Sequence, residues 1–255
     1  MKVERVNRTA ATAPTSTWLR AGPTDRRFYL AVAVVSIMTV LAGFGPAIIE
    51  ASGRNAPITP LAEAHGIASF TWLLIFLSQA TLIATQRTEL HRRLGMASAV
   101  IAFAVVVTGY ETTVAMARRG FDLSGDLGFK GHTLSIGPLS NLVAFSVLVA
   151  AGYWYRRRSQ VHKRLMVLAI LGGLMPAPLA HLIGHSPFPH QMQAVILLVL
   201  ILAFLFASAA YDRFSLGRFN RVSLWGAVAI FVWDVVVILV GHSAAWHHFG
   251  NWLIR

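Results

Sequence analysis

Seven apolar runs of about twenty residues, each set off from the next by a short polar stretch, leave this chain few ways to fold. The runs are 28–50, 62–85, 95–117, 131–155, 164–184, 190–211 and 222–242. At 1.5 Å of rise per residue, such a run crosses the ~30 Å hydrocarbon layer as a helix. Inside lipid every backbone N–H and C=O must be satisfied within the protein, and a helix does this on its own. The sequence therefore predicts an all-α protein, a polytopic bundle of seven transmembrane helices with the lipid bilayer around it. Residues 1–27 read as a polar tail, 28–242 as the membrane domain and 243–255 as a short outer tail. The first run is long enough to span, so it reads as an anchor rather than a cleavable leader.

Charge supplies the orientation. The net charge is +12. Seventeen of the 22 Lys and Arg residues fall before run 1 or between runs 2 and 3, 4 and 5, and 6 and 7. The other five lie on the opposite side. The excess predicts a cytoplasmic N-terminus and an outer C-terminus, in the bacterial cytoplasmic membrane. Cations spread this way serve topology, so nucleic acid is not an expected partner. The chain has no cysteine, which excludes disulfides, thiolate metal sites, thioether-linked haem and cysteine nucleophiles.

Within this frame one arrangement occurs twice. His65 opens run 2, and His91-Arg92-Arg93-Leu94 follows it. His132 opens run 4, and His162-Lys163-Arg164-Leu165 follows it. Two equivalent helical hairpins, about 62–117 and 131–184, predict a four-helix core built from a tandem repeat. His65 and His132 then stand at equal depth near the outer face. Glu111, His181 and His185 are expected at similar depth. Neutral imidazole is a common ligand for zinc, copper and haem iron. Twenty-six residues of continuous helix rise about 39 Å, more than the ~30 Å hydrocarbon layer. By that measure His91 and His162 read chiefly as anchors at the inner interface. His65, Ser69, Trp72 and Gln79 share one helical stripe that should face the bundle interior, as a cofactor wall or as polar contacts between helices. Gly172, Gly173, Pro176 and Pro178 predict a kink or break in run 5, with a weaker irregularity at Gly43-Phe44-Gly45-Pro46. Glu111 and Asp234 are expected to face protein or water.

The segments around His65-Gly66-Ile67-Ala68-Ser69-Phe70-Thr71-Trp72, Leu90-His91-Arg92-Arg93-Leu94-Gly95 and Val161-His162-Lys163-Arg164-Leu165-Met166 give the chain a layout that resembles the cytochrome b561 type of membrane protein, over roughly residues 62–185. They also resemble segments of uncharacterised bacterial multi-pass proteins. The b561 resemblance implies a four-helix core with two haem b groups. His65 and His132 would hold the outer haem, His91 and His162 the inner one, and a quinone or a periplasmic partner would exchange electrons. Two further readings come from the residues. One is a non-haem zinc, copper or iron site formed from His65, His132, His181, His185 and Glu111, with Glu111 available as a general base. The other is a cofactor-free transporter or structural membrane protein in which Glu111 and Asp234 relay protons.

Overall fold

The computed structural model describes residues 23–49, 58–120 and 134–255. His132 and the beginning of run 4 lie outside the described residues. The helices are α1 (Pro23–Ile49), α2 (Pro60–Ala84), α3 (Thr88–Arg118), α4 (Ile136–Trp154), α5 (Ser159–Leu168), α6 (Pro176–Gly184), α7 (His190–Leu216), α8 (Arg221–Gly241) and α9 (Ala244–Leu253). A π-helical turn, Ala169–Leu174, joins α5 to α6 into one span. Among the described residues seven helices are long and apolar enough to cross a membrane.

Local chemistry sets the helix ends. Thr59 caps α2 by accepting from the Ala62 N–H (3.1 Å), with Pro60 in the first turn where its missing donor costs nothing. Asn220 caps α8 in the same way, accepting from Val222 N–H (2.9 Å). Gly217, at φ +66°, ends α7 in the left-handed conformation glycine adopts without strain. Helix α1 begins at Pro23, earlier than the expected 28, and so includes Asp25 in its first turn. A carboxylate there suits the positive end of the helix dipole. The Gly43–Pro46 segment does not interrupt α1.

The fifth span is the hub. Of its most apolar stretch 56% is buried, against 17–39% in the other six spans. The break expected from its glycines and prolines is present. Met175 N–H reaches back to Ile170 O (3.0 Å), the wider turn of a π-helix, and α6 starts afresh at Pro176. At Gly173 the span meets α4 so closely that a Cβ would stand 2.9 Å from Phe145 Cα. Close backbone approach of this kind favours association in lipid, where apolar burial alone offers little drive.

Around this hub, α2 packs on α1 and α3, α3 on α4, and α4 on the fifth span, while α7 and α8 close the far side. Leu73 and Phe76 of α2 share a buried cluster with Val167 and Ile170 of the fifth span, which brings α2 to α5 together as a four-membered ring. The α2–α5 pair, like the α2–α4 and α3–α5 pairs, is held by side chains rather than by close backbone approach. Between the two ends of this ring lies an apolar middle of Trp72, Ala102, Val105, Phe145, Val149 and Ala169.

The last residues are more ordered than a tail. Ser243 caps α9 through Trp246 N–H (3.2 Å). Trp246, Leu253 and Ile254 pack on Ala117, Leu134 and Leu139, and Arg118 Nε donates to Ile254 O (3.2 Å). The other face of α9 exposes Phe249 and Trp252, as expected of a helix lying at a membrane interface.

Candidate bis-histidine site

His91 and His162 each sit one turn into a helix that leaves the same, arginine-rich end of the bundle. Their rings face across the α3–α5 diagonal with centroids 6.3 Å apart and planes at 81°. The levels of His65 and His91 are closer than the ~39 Å of a single rising helix, because the chain reverses at residues 85–87. His91 therefore climbs back into the bundle, beside Gln79 of α2. The level of Gln79 is about 21 Å from that of His65 along α2, well within one hydrocarbon layer.

The ring of His162 is fixed by its own surroundings. Its Nδ1 is 2.8 Å from Gly152 O. A carbonyl only accepts, so Nδ1 carries the proton and Nε2 presents a lone pair. Gly152 faces Met166, whose sulfur would stand 2.6 Å from a Cβ on that glycine. The neighbouring Tyr153 hydroxyl donates to Gly95 O (2.5 Å) and meets Ser98 Oγ (2.8 Å), tying α4 to α3 one turn above His91. The end of α4 therefore positions His162 and ties α3 to α4 one turn from His91.

His65 lies on α2 with Nδ1 3.2 Å from Thr108 Oγ1. That hydroxyl already donates to Ala104 O (2.6 Å), so it accepts from His65. Nδ1 again carries the proton. The ring is seated over Gly109, where a Cβ would fall 2.8 Å from its Cε1.

The remaining expected ligands are dispersed. His181 bonds Gly43 O through Nδ1 (2.6 Å), packs near Phe44 of α1 and has the His185 ring 4.2 Å away. That pair belongs to the α1–α6 seam, whereas His65 belongs to the α2–α3 seam. Glu111 is on the exposed side of α3. Asp234 is half-buried on the packed side of α8. Among the described residues no three His, Asp or Glu side chains gather as a metal ion requires.

Four buried polar atoms on the walls of the ring have no hydrogen-bond partner: Ser69 Oγ, Trp72 Nε1, Gln79 Oε1 and His91 Nδ1. Buried polar atoms are nearly always paired. Three of them lie on the α2 stripe that the sequence singled out. Ser69 is one turn from His65, Gln79 is on the side of His91, and Trp72, midway between His65 and Gln79, packs on Phe145 of α4 with ring centroids 5.3 Å apart. The 6.3 Å centroid spacing suits a single metal atom between the two rings: two ~2 Å metal–nitrogen bonds plus roughly 1 Å from each nitrogen to its ring centre give about 6 Å. By that spacing His91 and His162 would be the residues to hold such a metal.

Sequence reasoning missed a second buried cluster beside the site. Successive residues of α5 reach three neighbours. His162 faces α3 and α4. Lys163 pairs with Asp25 of α1 (2.7 Å), which also accepts from Tyr211 (2.7 Å). Arg164, 2% exposed, makes a two-pronged pair with Asp212 of α7 through Nε–Oδ2 (2.9 Å) and Nη2–Oδ1 (2.5 Å). Ser223 of α8 donates to Asp212 (2.5 Å), and Gln160 accepts from Arg164 (2.7 Å). Lys163 and Arg164 were expected to be loop cations that set topology. The burial of Arg164 corrects that, because a desolvated guanidinium needs a carboxylate and Asp212 supplies it. The matching residues of the first repeat behave differently. Arg92 and Arg93 are exposed, and Arg93 pairs only with Glu89 on the surface. Nothing in the sequence marks Asp212 as the partner of Arg164. Comparisons with protein-family models, with curated proteins and with solved structures each return no match.

Proposed function

We propose that this integral membrane protein is a haem b redox carrier, with one haem held between His91 and His162. A second haem is assigned to His65 on α2 with His132 as its opposite ligand, following the b561 resemblance. The observation that carries the reading is the approach of the His91 and His162 rings to 6.3 Å between centroids, with His162 held as the Nδ1–H tautomer. When bound, haem b supplies a one-electron ferric/ferrous couple. The protein's part is to hold and insulate. Gly152 O and Thr108 Oγ1 fix imidazole tautomers and make the ligating nitrogens more basic. The middle layer of Phe145, Val105 and Ala102 keeps water from between the two levels. The exposed arginines at residues 87–93 and 156–158 support assigning that end of the bundle to the cytoplasmic side of a bacterial inner membrane. A quinone in the bilayer or a redox protein at the outer face is the class of partner such a carrier serves.

The test is haem content of detergent-purified full-length protein, expressed with haem precursor supplied and assayed as the pyridine haemochrome alongside elemental analysis. The expected result is haem b at about two per chain, the number of opposed His pairs the b561-like layout requires. Protein free of haem, or carrying zinc or copper in its place, contradicts the reading.

A further inference from the structure

We infer that the cleft between the end of α3 and the last turn of α9 binds the phosphodiester headgroup of an anionic phospholipid, held by the guanidinium groups of Arg118 and Arg255. The site is at the end of the bundle opposite the exposed arginines of residues 87–93 and 156–158. It is independent of the haem reading.

The argument begins with where the cations are. Seventeen of the 22 Lys and Arg residues belong to the arginine-rich end, a bias that topology explains. The same bias leaves the other end poor in cations, with five. Topology gives those five no reason to meet. Two of them, Arg118 and Arg255, nevertheless line one cavity of about 370 Å³ with Asn251 and Ile254. Sites for small ligands span roughly 300–1,000 Å³. Arg118, Asn251 and Arg255 are exposed, so the cleft opens outward.

The fold builds this cleft. Trp246 Nε1 donates to Leu134 O (3.0 Å), and Ile254 is buried against Ala117 and Leu134, which seats α9 against the end of α3. Arg118 Nε and Nη2 donate to Ile254 O (3.2 Å) and Leu253 O (3.4 Å), setting the guanidinium across the end of α9. A guanidinium carries five N–H donors, so these two bonds leave it donors for a ligand. Residues 112–120 and 244–255 contain no Asp or Glu. Among the described residues neither arginine pairs with a carboxylate.

Two guanidiniums on one cleft call for an oxyanion, and the planar fork of each matches two phosphate oxygens. The amide of Asn251 can donate to a further oxygen or accept from a headgroup hydroxyl. The other face of α9 assigns the anion to a lipid. Phe249 and Trp252 are exposed there, and tryptophan is at home at the headgroup level. A short amphipathic helix of this kind lies in the interface with its apolar side toward the acyl chains. A phospholipid beside it presents its phosphate at the level of the arginines.

The chain has no cysteine, so His248→Cys on the exposed side of α9 gives one attachment point for a fluorophore. Labelled full-length protein in detergent is titrated with phosphatidylglycerol brominated in its acyl chains, and separately with phosphatidylcholine brominated in the same way. Phosphatidylglycerol should quench at the lower half-point. Arg118→Gln and Arg255→Gln should each raise that half-point about fivefold, the usual worth of one cation at an anionic membrane surface. Arg118→Lys, which keeps the charge and loses the fork, should fall between. Arg255 lies beyond the end of α9, so its variant carries the test even where Arg118→Gln loosens the helix. Equal half-points for the two lipids, or an unshifted half-point in Arg255→Gln, overturns the inference. Inorganic phosphate that displaces brominated phosphatidylglycerol as well as the unlabelled lipid does would make the ligand a free anion and overturn the lipid assignment.

Discussion

Asp212→Ala should be the most destabilising single substitution in the described protein, lowering unfolding free energy by about 3–5 kcal/mol, the usual penalty for stranding one member of a buried ion pair. Arg164 would keep only Gln160 as a partner, in a position where it is 2% exposed. Ser223 would lose its acceptor as well. The loss should appear as a large fall in the thermal midpoint in detergent. Replacing both partners, Arg164→Met with Asp212→Leu, should recover most of it, because a buried pair is often worth little more than well-packed apolar side chains. A double variant as unstable as Asp212→Ala would show that the pair also organises its surroundings. Arg93→Ala, at the equivalent place in the first repeat, breaks only an exposed pair with Glu89. It should change stability by less than about 1 kcal/mol.

His162→Ala should remove one haem and leave the other. Met166, whose sulfur lies beside Gly152 at the His162 ring, is the one nearby side chain among the described residues able to ligate iron, so His162→Ala is paired with His162→Ala/Met166→Leu. His91→Ala should give the same loss, and the double variant should lose no more than either single one. His65→Ala should remove the other haem. The measurement is haem per chain in the purified variants, with the thermal midpoint recorded alongside. Loss of all haem from His162→Ala at unchanged stability would mean that the two sites are not independent.

The sequence made the spans legible because lipid imposes one rule on every residue in it, and long apolar runs are the direct consequence. The break in the fifth span was legible for a related reason. Pro176 and Pro178 lack the donors that a continuous helix needs. The inward stripe of His65, Ser69, Trp72 and Gln79 followed from helical periodicity alone, and three of its members carry orphaned buried atoms in the fold. What failed was arithmetic across a turn. Counting His65 to His91 as one rising helix ignored the reversal at residues 85–87, so it overstated the distance between their levels. Pairings between distant segments were illegible throughout. Arg164 looks no different from Arg93 in sequence, since the acid that buries it is 48 residues away. Gly152 O and Thr108 Oγ1 position histidines through a backbone carbonyl and a common hydroxyl, neither of which has a signature. The contact face of α9 was missed because Trp246, Leu253 and Ile254 acquire meaning only once Leu134 is known to lie beneath them.

Under the proposed function His91 and His162, whose ring planes stand crossed at 81°, would together hold one haem. Low-temperature electron paramagnetic resonance of the oxidised, purified protein tests it most directly. Crossed imidazole planes produce a highly anisotropic low-spin ferric signal, and parallel planes produce an ordinary rhombic one. The account predicts the highly anisotropic signal, present in wild type and absent from both His91→Ala and His162→Ala. A rhombic signal alone, a high-spin signal, or no ferric haem at all would contradict it.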